Sequence, residues 1–415
     1  MRLSTMARLA VAGLFATGVT AAASSALADD CSTLPNPVYI TGSSAVQPFM
    51  AALGAALYPT GTTIVYQSQG SCAGVDSMVK SAPISGTATY FPMVGDAGTG
   101  VPVQCTIPLD DAGAGGIPAD IGVSDVFAES CAGRVRDAAK VGDFWGPNQV
   151  MTFVVPQKAT QVVNISAEAA YFVMGQATGM KTVTPWTDAT KIFLRNSGSG
   201  TQTMLGAAIH LDPALWKGVL GSTRSAATVE ADLKAAQMTD PSPQSVIGIL
   251  STGEADRDRD FLKVLGFQDF GQKCAYWPDS SLTTYDKKWV RSGEYPIWGP
   301  LHMLATVASA GGEPTSANVK KIINYFNGTE VPPGGKTQIL DLEISSHTVP
   351  QCAMKVKRSA ELGPYTAYTD SNPCGCYFEA KATGTAPTSC KTCTGNTDCG
   401  DAGDMICSYG YCEAK

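Results

Sequence analysis

The chain has 415 residues, a formal net charge of −7 and 13 cysteines. Its acidic balance excludes a nucleic-acid partner, which would need a basic face. Residues 1–28 carry Arg2 and Arg8, a small apolar run over 9–23 and Ala26-Leu27-Ala28, the pattern of a secretory signal peptide cleaved after Ala28. Removing those 28 residues leaves 387, with two arginines fewer and so a net charge of −9. That length is too great for one ordinary core and predicts two lobes with an appendage. In a periplasmic, extracellular or cell-surface chain, 13 cysteines predict disulfides, and the odd count leaves a thiol free or paired between chains. Asp29-Asp30 before Cys31 argues against a lipid anchor, and no later segment has the run of about 18 apolar residues that would span a membrane.

In chain order, Val38-Tyr39-Ile40 reads as a strand, Thr41-Gly42-Ser43-Ser44 as a turn, and 45–57 as a helix with Pro48 in its first turn and Ser43 or Ser44 as its cap. The pattern repeats with a strand over 62–67, the turn 69–74 and a helix from Val75 to about Lys80. Hydroxyl-bearing helix starts that follow strands are what a doubly wound α/β lobe gathers at one edge, where ligands bind. Residues 81–118 turn to Gly, Pro, Thr and Asp with little period. They read as a surface insertion stapled through Cys105. Residues 119–126 return to a buried strand ending in Ser124-Asp125, whose acid is either a helix cap or an acceptor facing a protonated anion.

The apolar run 149–156 is expected to cross to a second lobe. After a helix over 167–175 and a short strand over 190–194 comes Arg195-Asn196-Ser197-Gly198-Ser199-Gly200-Thr201, leading into helical spacing over 202–209. Glycines let backbone approach a ligand closely, a helix start offers unpaired N–H groups and a favourable dipole, and Arg195 adds a planar charged fork. Helical residues 229–234 and a strand over 245–250 follow. Asp256-Arg257-Asp258-Arg259-Asp260 imitates a calcium loop but lacks its glycine and its closing acid, and reads as a solvated charged turn. Residues 293–303 suit a return crossing strand and 316–327 an amphipathic helix. His210, His302 and His347 are isolated, so no metal or triad role is assigned to them. At 381–389 a linker leads to Cys390, Cys393, Cys399, Cys407 and Cys412, a stretch with too little apolar sequence for a core, which cross-links must order together with Cys374 and Cys376. Cys390-x-x-Cys393 leaves zinc as the competing interpretation, and the eight cysteines from Cys352 onward allow about 105 pairings.

Taken together, Ile40-Thr41-Gly42-Ser43-Ser44-Ala45-Val46-Gln47-Pro48, Tyr66-Gln67-Ser68-Gln69-Gly70-Ser71, Gly122-Val123-Ser124-Asp125, the Arg195 to Thr201 loop and Ser292-Gly293-Glu294-Tyr295-Pro296 resemble the substrate-binding proteins of bacterial phosphate ABC transporters, the PstS-like type 2 periplasmic binding proteins. The likeness covers about 38–327. It implies two α/β lobes that close like a hinge on one anion, with lobe 1 over 29–152 and 298–365, the insertion 81–118 within it, lobe 2 over 153–297, and a linker and disulfide-rich module over 366–415. It implies that inorganic phosphate, HPO4²⁻, is held by Val46 and Gln47 largely through backbone, with Ser44 nearby, by Ser71 and Asp125, and by Arg195, Ser199, Gly200 and Thr201. It also implies an ABC transporter permease as partner, with no cofactor and no metal.

In such a site Asp125 selects phosphate over sulfate, because a carboxylate repels an anion that has no proton to donate. The chain departs from the family at Val46, where a threonine hydroxyl is usual, and at Ser197, where an acid commonly stands beside the arginine. One lost neutral hydrogen bond costs on the order of 1 kcal/mol, roughly fivefold in affinity. The function expected is a non-catalytic phosphate receptor. Its alternative is a surface interaction or adhesion protein on the same scaffold, with the insertion and the C-terminal module as contact surfaces. A phosphatase built on Ser199 lacks a base nearby and the spacing of a nucleophile elbow.

Overall fold

The computed structural model describes residues 29–95, 100–109, 115–175, 182–331, 335, 338–400 and 403–415. The expected signal peptide lies outside these residues. Among them, no helix is long and apolar enough to cross a membrane.

The spine is the strand Val141–Pro156, whose last eleven residues are all buried. Its first part pairs antiparallel with Trp298–Thr306, from Thr306↔Val141 to Trp298↔Val150. Its last part pairs instead with Ile247–Ser251 and Leu262–Val264. One continuous strand therefore serves both halves of an 11-stranded sheet. In the first half Pro37–Gly42 lies parallel between Thr63–Ser68 and Ile121–Ser124. Parallel strands need crossovers, so the helices Gln47–Leu57 and Ser71–Val79 both begin at the same sheet edge, where Ile121–Ser124 also ends. The α/β class with a disulfide-rich C-terminal segment holds.

Several expectations are corrected. The 81–118 stretch is not aperiodic throughout: Gly86–Tyr90 and Val103–Ile107 pair antiparallel and extend the sheet edge. Only Ala88 and Tyr90 point inward on the first of these, too short an alternation to register among threonines, and the pair shares a small core with Val65 and Ile84. The 190–194 run is a 3-10 turn, Ala189–Lys191, followed by the two-residue strand Ile192–Phe193. Helix Ser71–Val79 starts four residues earlier than expected, and helix Gln47–Leu57 has Val46 at its N-cap with no side-chain cap, because Ser43 and Ser44 face other partners. The supposed linker begins inside helix Gly375–Thr383.

Cysteine pairing is resolved by position. Cys31–Cys105 pins the sheet edge and Cys72–Cys131 ties helix Ser71–Val79 to the segment after Asp125. The tail carries Cys352–Cys374, Cys376–Cys390, Cys393–Cys407 and Cys399–Cys412. Both sulfurs of the supposed zinc pair are thus consumed in disulfides. Cys274 is a free, exposed thiol. The C-terminal segment leans on both halves: Arg291 Nη1 donates to Glu379 Oε1 at 2.5 Å, while Tyr377 Oη donates to Asp341 Oδ1 at 2.7 Å.

The charged run is neither a calcium loop nor a wholly solvated turn. Asp256 is buried, and Lys287, 1% exposed, reaches it at 2.6 Å and Asp279 at 2.8 Å, with Arg259 also 2.6 Å from each acid. A lysine is rarely buried unless it is paired, and here two acids pair it. Lys287→Met would leave both carboxylates with Arg259, and Asp256 with the more distant His347 at 3.7 Å. We expect a stability loss of about 3–5 kcal/mol by urea denaturation of the oxidised protein.

Candidate functional site

At the shared sheet edge, the first turn divides its two serines between two charges. Ser43 Oγ donates to Asp125 Oδ2 at 2.6 Å, and its carbonyl accepts from the Tyr66 hydroxyl. Ser44 Oγ accepts from the Arg195 guanidinium and lies 3.4 Å from Ala226 N at the start of helix Ala226–Thr239. Ser71, the first residue of its helix, donates to Asp125 Oδ2 at 3.0 Å while Asp125 N–H donates back to Ser71 Oγ at 3.1 Å. Asp125 therefore does not cap a helix; it ends a strand inside a cluster of hydroxyls.

The Arg195 loop meets this cluster from the other half. Asn196 Oδ1 accepts from Gly198 N at 2.9 Å and shapes the turn, and Ser199 caps helix Gly200–Ala208 by accepting from Gln202 N. Arg195 Nη1 donates to Thr201 Oγ1 at 3.1 Å, and its own N–H donates to Gln202 Oε1 at 3.0 Å. The two halves touch backbone to backbone: Cys72 N donates to Gly198 O at 3.0 Å. Gly70, at φ +105°, has no room for a side chain, since a Cβ would stand 2.9 Å from Gly198 O. At Gly200 a Cβ would come within 2.3 Å of Ser71 Oγ and 2.8 Å of Asp125 Oδ2.

Seven of the nine residues singled out in the sequence thus converge: Ser44, Ser71, Asp125, Arg195, Ser199, Gly200 and Thr201. Val46 is buried at the helix start, and Gln47 shares with Ser44 and Glu254 the wall of an adjoining cavity of about 460 Å³. Asp125 and Arg195 are each 1% exposed. Burial raises the Asp125 pKa against the hydrogen bonds from Ser43 and Ser71 and the charge of Arg195. Burial lowers that of Arg195, with Glu254 and then Asp125 acting in the opposite direction. Among the described residues, Asp125 Oδ1 and Arg195 Nε have no hydrogen-bond partner. The arrangement can take an oxyanion that both accepts and donates hydrogen bonds.

Sequence reasoning missed Glu254, and it assigned Ser43 only to a cap. Glu254 is 2% exposed and closes a capping box with Ser251 at the start of the short helix Thr252–Ala255. It supplies the acid near Arg195 that Ser197, exposed on its turn, does not. The Ser251-x-x-Glu254 signature at the end of a strand was the available signal.

No family model matches the chain, and no curated protein does. Similar solved structures include the phosphate-bound form of a Clostridium perfringens protein assigned as a phosphate ABC transporter substrate-binding protein, at 11% identity over 76% of this chain and 99% of that one, with TM-score 0.47. They also include an ABC-type phosphate transport receptor from Vibrio cholerae, at 15% identity over 75% and 99%, TM-score 0.44. A third is the reduced OxyR regulatory domain from Pseudomonas aeruginosa, at 8% identity over 70% and 98%, TM-score 0.36. Likeness at these identities carries no chemistry with it.

Burial pushes Glu254 up to about 7 from an ordinary 4.5. Its contribution to stability is therefore fully present below pH 4.5 and is lost as pH rises through about 7, on the order of 3 kcal/mol. Glu254→Gln keeps the cap and removes the titration. Urea denaturation at pH 5 and pH 8 should show the variant losing less stability than the parent over that interval.

Proposed function

We propose that the chain is a non-catalytic receptor that captures inorganic phosphate as HPO4²⁻ between its two halves, held by Ser44, Val46, Gln47, Ser71, Asp125, Arg195, Ser199, Gly200 and Thr201, with Ser43 orienting Asp125. The observation that carries this is the pair of unpartnered atoms in one buried site, an acceptor on Asp125 and a donor on Arg195. A ligand with both a P–OH and charged oxygens matches the two at once. Sulfate offers Asp125 no proton near neutral pH and leaves a buried repulsion in its place. The helix starts at Gln47, Ser71 and Gly200 add N–H groups whose dipoles favour negative charge.

Export past the inner membrane and delivery to an ABC transporter permease are the roles we infer for such a receptor, with lobes near 29–152 plus 298–365 and 153–297. A second reading, an interaction or adhesion protein on this scaffold, is favoured by one feature. The C-terminal segment holds Arg291 through Glu379 on one side and Asp341 through Tyr377 on the other, which ties the two halves together.

Calorimetric titration of the ligand-stripped mature protein separates the two. The receptor reading expects phosphate to bind at ~1 μM or tighter, about −8 kcal/mol, and sulfate about a hundredfold more weakly. Asp125→Asn should narrow that gap by admitting sulfate. Absence of heat with both anions would defeat the receptor reading and move the function to the edge hairpin and the tail.

A further inference from the structure

Away from the anion site, a cavity of about 660 Å³ opens where the disulfide-linked segment meets the first half of the chain. Trp145 on the spine strand, Glu330, Glu343 on helix Gln338–Ser345, and Asp370 and Tyr409 of the C-terminal segment all line it. The described lining residues include three carboxylates and no basic side chain.

Glu343 is the informative residue. It is 5% exposed, and among the described residues its carboxylate has no hydrogen-bond or ion-pair partner. Burial alone raises its pKa well above the ordinary carboxylate range. Burial pushes the Tyr409 phenol up, and the charges of Asp370 and then Glu343 add to it. Two acids from separate elements thus face one phenol, with no basic side chain among the described lining residues.

A metal ion is the first occupant to consider, and the geometry does not supply one. Among the described residues, the one group of three potential ligands within 4.8 Å is Cys393, Cys399 and Cys412, all held in disulfides. Carboxylates spaced around a roomy, aromatic-walled cavity suit a bulky and weakly hydrated cation, which draws on aromatic faces as well as on charge. The volume falls within the range of small-molecule sites.

We propose that this cavity binds an alkylated ammonium ion, with its charge set against Glu343 and Asp370 and its alkyl groups against Trp145 and Tyr409. In the complex the Glu343 carboxylate carries the charge that faces the cation.

The test is calorimetric titration of the oxidised full-length protein with choline and with 3,3-dimethylbutan-1-ol, which has choline's shape without its charge. Choline should saturate the site and the alcohol should not. Glu343→Gln should weaken choline by about tenfold or more while leaving the thermal midpoint unchanged or higher, since it replaces a buried ionisable group by an uncharged one of the same size. Asp370→Asn, at a more accessible wall, should weaken it in the same direction. No saturation by ~10 mM choline, equal binding of the two probes, or unchanged choline affinity in folded Glu343→Gln would each overturn the proposal.

Discussion

A guanidinium sealed from water is the constraint on which the rest of this structure turns. Moving such a charge into a low-dielectric interior costs several kcal/mol unless acceptors and opposite charge are already waiting. Around Arg195 they arrive from four separate stretches: the Ser44 hydroxyl, the Thr201 hydroxyl, the Glu254 carboxyl and Asp125. None of these is a sequence neighbour except Thr201. The sheet edge must therefore be assembled before the charge can be buried, which makes the site and the fold parts of one cooperative unit.

Glu254 and Asp125 divide the electrostatic work unequally. Glu254 sits in a capping box, fixed by Ser251, and acts on Arg195 through its charge. Asp125 stands among hydroxyl donors that satisfy one of its oxygens. The first arrangement serves the arginine whether or not an anion is present. The second is responsive, because the protonation state of a buried carboxyl depends on what its remaining oxygen meets.

The turns that build the site were legible because their signals are local: glycine where backbone must pass closely, a hydroxyl or Arg at a strand end, helical spacing beyond. What a hydroxyl bonds to is not local. Ser43 and Ser44 look like caps in one dimension, yet each finds a partner more than 80 residues away, at Asp125 and Arg195. Asp256 was misjudged for the same reason, since alternation with arginine looks solvated until Lys287 and Asp279 fold over it. Glu254 was overshadowed by that neighbouring run. The 86–107 hairpin eluded pattern because two inward residues make too short a period, and cysteine pairing is a matter of three-dimensional distance that spacing does not encode.

Gly200 gives the meeting of the two halves a further meaning. The nearest atoms to its missing side chain are the serine and the aspartate that the site is built around. A single methyl group there would act as a doorstop, wedged against those two residues and not against inert packing. Contact between the halves is thus gauged at the chemistry itself: how near they stand and how Asp125 is presented are one measurement, made to within the width of a carbon atom.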